Sequence, residues 1–456
     1  MTDTIETPTR TTGSWRELFT DHPLQVSVLA GGVAIYSTSV YVTTSLLPDA
    51  IAEIGGRQFY SWAMTAFLLV SVVSSMLVAR AVRAWGFRTS YLAGFGLFAI
   101  GSLVAALAPT MPVLLVGRGA QGLGGGLLAG LGYVVIRVAL PERLWSRAIA
   151  WISAMWGVGN LVGPLLGGAL AQIGWWRGAF VLLLVASVLG AGAARVLPNA
   201  KGAGVRTPTP VTQMVLLVAA AAVVSGAGIA ETATTRMLLF GVGIGCVLAF
   251  VAVERRTADG VLPRSVFERA SGLRWVYLAV AVLGICSTVE MFVPLFGQTS
   301  AAMSPLVAAL LGAAVSWGWV CAQLLSSNAE RTTKALRAIG PAVLGLGLAA
   351  YGALQFDAPS PLVVAAWFAV LMIAGAGIGI AFPHVAAAAL ASTDDDAEAA
   401  KASAGINFVQ LVATTFGSAL AGLLVSVGGD GGGSSARILA FGFAAVAVLG
   451  ILAARR

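Results

Sequence analysis

Two charged residues stand apart in this chain of 456 residues. Arg118, in the run VGRGAQGLGGGLLAG, and Glu290, in LGICSTVEMFVPLF, fall well inside long apolar stretches, whereas the other charged residues lie at the edges of such stretches or between them. Placing an Arg in hydrocarbon costs ~2.5–3.5 kcal/mol by insertion assays and ~10–17 kcal/mol in simulation, so on either scale Arg118 must face a protein interior or a water-filled cavity. Glu290 suits a different task. Desolvation penalises its ionised form, and a carboxyl so balanced can load and release a proton or pair with a cationic solute. For both residues, reach to the nearer interface is the competing explanation.

Other polar residues are weaker candidates. Asn407 and Gln410 lie three apart, on one helical face, where they could line a pathway or bond a neighbouring helix. Asp49 and Glu53 follow Pro48 and read as a solvated rim, His384 follows Pro383 near the end of a run, and Asp394–Asp396 with Glu398 read as a solvated loop. In GVGNLVGPLLGGAL, Gly159, Gly163 and Gly167 recur every four residues and make one smooth helix face, while Pro164 removes a backbone hydrogen bond and permits a bend. Gly122, Gly124, Gly125 and Gly126 likewise allow another backbone to approach closely.

The elements that must position these residues follow from composition. Hydrophobic residues make up 58% of the chain and charged residues 10%, against roughly 25% charged in a soluble domain. Apolar runs long enough for a ~30 Å hydrocarbon core recur at 24–47, 58–79, 89–108, 111–136, 147–173, 178–197, 211–230, 236–253, 275–297, 303–325, 338–355, 360–383, 403–428 and 436–453. The expected architecture is an all-α membrane protein of about fourteen spans. The pair 211–230 and 236–253 is the least certain, since a re-entrant pair would give the same string.

Charge placement orients the chain. With the N-terminus in the cytoplasm, the far side holds only Arg57, Arg177, Arg236 and Arg437, and all other Lys and Arg but Arg118 fall on the cytoplasmic side, which predicts cytoplasmic ends. The net charge of +8 is spread singly through short loops rather than in a basic stripe with aromatics, so nucleic acid is not an expected partner. Residues 1–23 are polar and mixed in charge, and no signal peptide is expected. Cys246, Cys286 and Cys321 lie in apolar runs and read as free packing thiols. No metal or cofactor is expected. With no Ser/His/Asp set or phosphate-binding loop at membrane depth, an enzyme is not expected either.

On these residues the chain resembles the major facilitator superfamily, and within it the fourteen-helix drug:proton antiporters. Arg118, Gln121 and Gly122 match a fourth-helix motif that the resemblance links to proton transfer. Gly159, Gly163, Pro164, Gly167 and Gly168 match the fifth-helix antiporter motif. WAMTAFLL at Trp62–Leu69, GWWRGAF at Gly174–Phe180 and the VERRTADGVLPRSVF stretch match in the correct order, and the last favours fourteen helices. The resemblance covers nearly the whole chain.

Two departures stand out. In the loop ARAVRAWGFRTS, Gly86 and Arg88 fit the family's gating motif, but Arg83 replaces its usual Asp and Ala79 its first Gly. In TSVYVTTSLLP the first helix has Ser39 where the family commonly has an Asp. That leaves Glu290 as the candidate proton carrier, with Arg118 as the partner that tunes it.

The resemblance implies two six-helix bundles, 24–197 and 275–456, with a linker at 198–274 carrying two extra helices, and a site near the midplane between the bundles. The expected function is proton-coupled export of small, hydrophobic or cationic compounds by a monomer in the inner membrane. Its partners are a small-molecule substrate, protons and the lipid bilayer. An uncoupled facilitator or importer of a neutral solute is the alternative, with a non-transporting sensor behind it.

Overall fold

A computed structural model describes residues 14–201, 211–257, 260, 262–268, 271–326, 333–356, 358–390, 396–429 and 432–454. They form helices in chain order: α1 (Trp15–Asp21), α2 (Pro23–Ile54), α3 (Tyr60–Met76), α4 (Val78–Trp85), α5 (Phe87–Ala106), α6 (Met111–Ala139), α7 (Trp145–Gln172), α8 (Arg177–Ala194), α9 (Val211–Ile229), α10 (Ala233–Arg256), α11 (Leu273–Ser287), α12 (Val293–Ala301), α13 (Pro305–Ser326), α14 (Thr333–Ala353), α15 (Pro361–Leu390), α16 (Asp396–Val427) and α17 (Gly433–Ala454). No strand occurs among the described residues.

Thirteen stretches of helix among the described residues are long and apolar enough to cross a membrane, and the expected fourth span is the 29-residue α6. With backbone bonds closed within each segment, helices suit lipid, where an unpaired N–H or C=O costs several kcal/mol. The doubtful pair 211–230 and 236–253 forms two continuous helices of 19 and 24 residues. The Thr232 hydroxyl caps α10 by accepting from the Thr235 N–H. The acidic run departs from expectation: Asp396 and Glu398 belong to the backbone of α16, while Asp394 and Asp395 lie outside the described residues. Acids in a first turn favour the positive end of the helix dipole, and Ala-rich sequence propagates the helix.

Helices α2 to α8 pack chiefly on one another, through α2 with α7, α5 with α6 and α3 with α6; α13 with α15, α14 with α17 and α11 with α16 do the same later in the chain. Outside the membrane, Arg143 beside Glu17 ties α1 to the α6–α7 junction and holds the Glu17 carboxyl below the usual carboxylate range. That tie persists as pH falls until the lowered range is reached, and is lost below it.

The α9–α10 hairpin spans the seam between the two sets of helices. The Trp62 indole of α3 donates to the Ser225 carbonyl of α9 at 3.1 Å, and Gly228 of α9 lies against the backbone of Gly422 and Leu423 in α16. Glu254, buried near the end of α10, accepts from the Leu262 N–H at 2.6 Å and from the Gln213 amide at 3.3 Å, fastening the stretch that follows the hairpin.

Candidate functional site at the meeting of the two helix sets

The expected single span at 275–297 is broken. α11 ends at Ser287, a 3₁₀ turn runs Thr288–Met291, and α12 begins at Val293. Pro294 explains the break. It has no N–H to give the carbonyl four residues back, and that carbonyl belongs to Glu290. Gly312 of α13 fits closely against the Pro294 ring and the Glu290 carbonyl, where a Cβ would meet Pro294 Cγ at 2.9 Å. The break therefore sets Glu290, half-buried, in a turn rather than on a helix face. The Ser316 hydroxyl of α13 donates to Glu290 Oε2 at 2.6 Å.

The earlier helices supply the other wall. The buried Tyr41 phenol of α2 lies beside the Ser316 hydroxyl and the Asn160 side chain of α7, within electrostatic reach of Glu290. Asn160 Oδ1 is buried without a hydrogen-bond partner among the described residues. Tyr36, edge-on to Trp156 at 5.5 Å and tilted against Phe67 at 5.2 Å, extends the aromatic lining. Tyr41, Asn160 and Ser316 escape a sequence reading because in apolar helices they look like packing residues. The local clue was Pro294, four residues beyond Glu290.

Arg118 is fully buried. Its Nε donates to the Ala63 carbonyl at 3.1 Å, and its Nη1 to Ser39 Oγ and Gln121 Oε1, both at 2.8 Å. Its guanidinium lies 4.1 Å over the Phe67 ring. The Gln121 amide in turn donates to Ser102 of α5 at 2.8 Å. One cation thus ties α2, α3, α5 and α6 with no carboxylate among its described partners, and Ser39, at the position of the missing acid, is one of its acceptors. The structure brings Arg118 and Gln121 together but joins neither to Glu290 by hydrogen bond or ion pair. α3 reaches the surroundings of both Arg118 and Glu290. It carries Ala63, Met64 and Phe67 towards Arg118 and Tyr60 towards the Glu290 turn.

Beside that turn the two helix sets touch. The Tyr60 hydroxyl donates to the Met291 carbonyl at 2.9 Å, and its ring is 4.8 Å from Phe292. The Thr65 hydroxyl meets Ser418 at 3.2 Å, and the Gln298 amide donates to Asp49 at 3.2 Å. Gly168 of α7 packs against Pro305, Leu306 and Ala309 of α13. All these pairs lie at one end of the helices. Asp49 is thus a bridge between helix sets, and Glu53 accepts from Trp176 and Arg177, tying α2 to α8.

Three of the antiporter-motif glycines form one packed face, while Gly168 turns to α13. A Cβ at Gly159 would strike Ser37, at Gly163 Tyr41, and at Gly167 Val42, so α7 lies backbone to backbone on α2. Replacing Gly163 with Val is expected to cost about 1–3 kcal/mol through overpacking and to displace Tyr41. A lower melting temperature together with weaker efflux would register it; an unchanged melting temperature would show that the contact yields freely.

In the gating loop, Gly86 takes a φ of +83° that favours glycine. Arg88 Nε donates to the Leu197 carbonyl at 2.9 Å and the Phe87 N–H to the Ala200 carbonyl at 3.1 Å, so carbonyls of the segment after α8 hold this junction. Arg83 sits in the last turn of α4. Gln410 lies on α16 with its backbone towards Gly284 of α11, and the side chain of Asn407 is outside the described residues. His384 is buried within α15, its Nε2 without a partner among the described residues.

Comparison with known proteins identifies the family and the fold. The Major Facilitator Superfamily model matches residues 29–409. A "Probable multidrug-efflux transporter" of Mycobacterium tuberculosis is 42% identical, over 97% of this chain and 96% of that protein. The fold is shared with a POT family transporter solved with a thioalcohol-conjugated peptide, at a TM-score of 0.69, 16% identity and 96% coverage of both chains. It is shared also with the xylose transporter of E. coli, at a TM-score of 0.57 and 17% identity, covering 94% of this chain and 96% of that one. Matched by the family model over most of its length and by a full-length relative, this multi-pass membrane chain belongs to the Major Facilitator Superfamily, whose members here are transporters and not enzymes.

Proposed function

We propose that this transporter exports small, largely hydrophobic or cationic compounds in exchange for protons. Two six-helix bundles, 24–197 and 275–453, rock about a midplane site, with fourteen spans in all and both ends in the cytoplasm of an inner-membrane monomer. The observation that carries the reading is the position of Glu290. It occupies a helix break between the bundles, one residue from Met291, whose carbonyl receives the Tyr60 hydroxyl across the gap. The likeness to a multidrug-efflux relative supports the direction of transport.

With the orientation set by the basic residues, the joined end faces outward. The cycle then runs from this outward-closed form: substrate enters from the cytoplasm or inner leaflet and settles between Tyr36, Trp156 and the Tyr41–Asn160–Ser316–Glu290 group. Rearrangement of the turn parts Tyr60 from Met291, and a proton entering from outside loads Glu290 as substrate leaves. Each proton moving down a 100 mV potential supplies ~2.3 kcal/mol. Arg118 braces α3, whose first turn carries Tyr60, and so acts on Glu290 through the gate.

Everted vesicles provide the test. On energisation they should accumulate a cationic dye and release it when a protonophore is added. Dye movement indifferent to the protonophore would favour the uncoupled facilitator, which Ser39 in place of an acid also supports.

A further inference from the structure

Of the four basic residues assigned to the outer side, three are engaged. Arg177 pairs with Glu53 and donates to the Ala108 carbonyl, Arg236 donates to the Ala230 carbonyl, and Arg437 to the Gln355 carbonyl. The Arg57 side chain alone of the four makes no hydrogen bond or ion pair among the described residues, and the residue is exposed. A cation on the translocated side runs against the charge rule, and this side chain fastens no other described residue. It opens the short 3₁₀ turn Arg57–Phe59 after Gly55 and Gly56 and lines a cleft of about 230 Å³.

The cleft exists because the inserted hairpin crosses the seam. Its wall combines the start of α3, Gly228 of α9, Phe292 and Leu295 of the broken helix, and the end of α16. Arg57 and Gln58 offer N–H donors, Phe292, Leu295 and Val425 give an apolar side, and no acidic residue lines it among the described residues. A guanidinium beside an amide recognises an oxyanion, and phosphate most readily because it takes two parallel N–H bonds. The apolar side fits the first methylenes of a tail.

We propose that this cleft binds the phosphate head of an anionic amphiphile, drawn either from the bilayer as an anionic phospholipid or from the medium as an alkyl phosphate. Its outward location rests on the orientation proposed above. The lining spans both bundles and the hairpin, so an occupant ties the outer ends together and holds the outward-closed form.

The test measures binding of monododecyl phosphate to the full chain in phosphatidylcholine nanodiscs, where both faces are open and no transport is needed. A failure of the efflux reading would therefore leave this result untouched. Arg57→Gln should weaken binding at least about tenfold, as expected for loss of one charge-assisted contact, while Arg57→Lys, which keeps the charge but not the paired N–H geometry, should fall between wild type and Arg57→Gln. Dodecyl maltoside, which has the tail without the charge, should not displace the ligand. Equal affinity in wild type and Arg57→Gln, or displacement by the maltoside, would overturn the proposal. With binding established, repeating it in phosphatidylglycerol nanodiscs identifies the source: weaker apparent binding means that bilayer lipid occupies the cleft, and unchanged binding means that the ligand comes from the medium.

Discussion

Glu290→Gln should abolish uphill efflux while leaving substrate-for-substrate exchange across the membrane intact. Gln has nearly the shape of Glu and can still accept from the Ser316 hydroxyl, so the turn and its fit against Gly312 should survive. It cannot titrate. For a neutral substrate exchanged against one proton at 100 mV, the lost driving force is ~2.3 kcal/mol, a fall of about 50-fold in the concentration ratio the pump can hold. Efflux from energised vesicles and counterflow in de-energised ones separate the two capacities. If the mutant still builds a wild-type gradient, Glu290 is not the carrier. If it loses only cationic substrates and keeps neutral ones, the carboxyl is a substrate counter-ion instead.

The second large effect is expected at Arg118. Truncation to Ala removes the donors to Ser39, Gln121 and the Ala63 carbonyl together with the Phe67 stack. Each buried acceptor left unpaired costs about 1–3 kcal/mol, partly offset because a desolvated charge is also removed. The net expectation is a loss of about 2–5 kcal/mol of stability with efflux at the level of the vector control. Arg118→Lys keeps the charge but cannot reach three acceptors in fixed directions, so it should fold better than Ala and pump only weakly. Thermal unfolding in detergent and dye efflux in cells give both readings. A fully active Ala variant would reduce Arg118 to a packing residue.

Much of this was legible in the sequence because lipid imposes simple rules. Length and apolarity mark out the helices, and the four-residue glycine spacing gives the face by which α7 lies on α2. Arg118 stands out by the cost of a lone charge in lipid and Gln121 by the motif it shares with it, while the bond between them is seen only in the structure. What eluded the sequence depends on tertiary placement. The hydroxyls of Ser39, Ser316 and Tyr60 carry no charge, and nothing along the chain says which of many Ser and Tyr residues meets a polar partner. Arg118 and Glu290, expected as partners, share no hydrogen bond or ion pair, since each finds neutral partners closer at hand. The helix break was written in Pro294, but its effect on Glu290 becomes plain only by counting back to the carbonyl left without a donor.

Since Glu290 and Met291 are consecutive residues of a single 3₁₀ turn, the proposed link between proton loading and opening of the Tyr60 contact needs no relay through the molecule. Linkage is reciprocal: by whatever factor a proton loosens the Tyr60 contact, making that contact must loosen the proton. If Glu290 carries the proton as proposed, the aromatic hydroxyl across the gap shifts proton affinity by the same factor by which the proton shifts the contact.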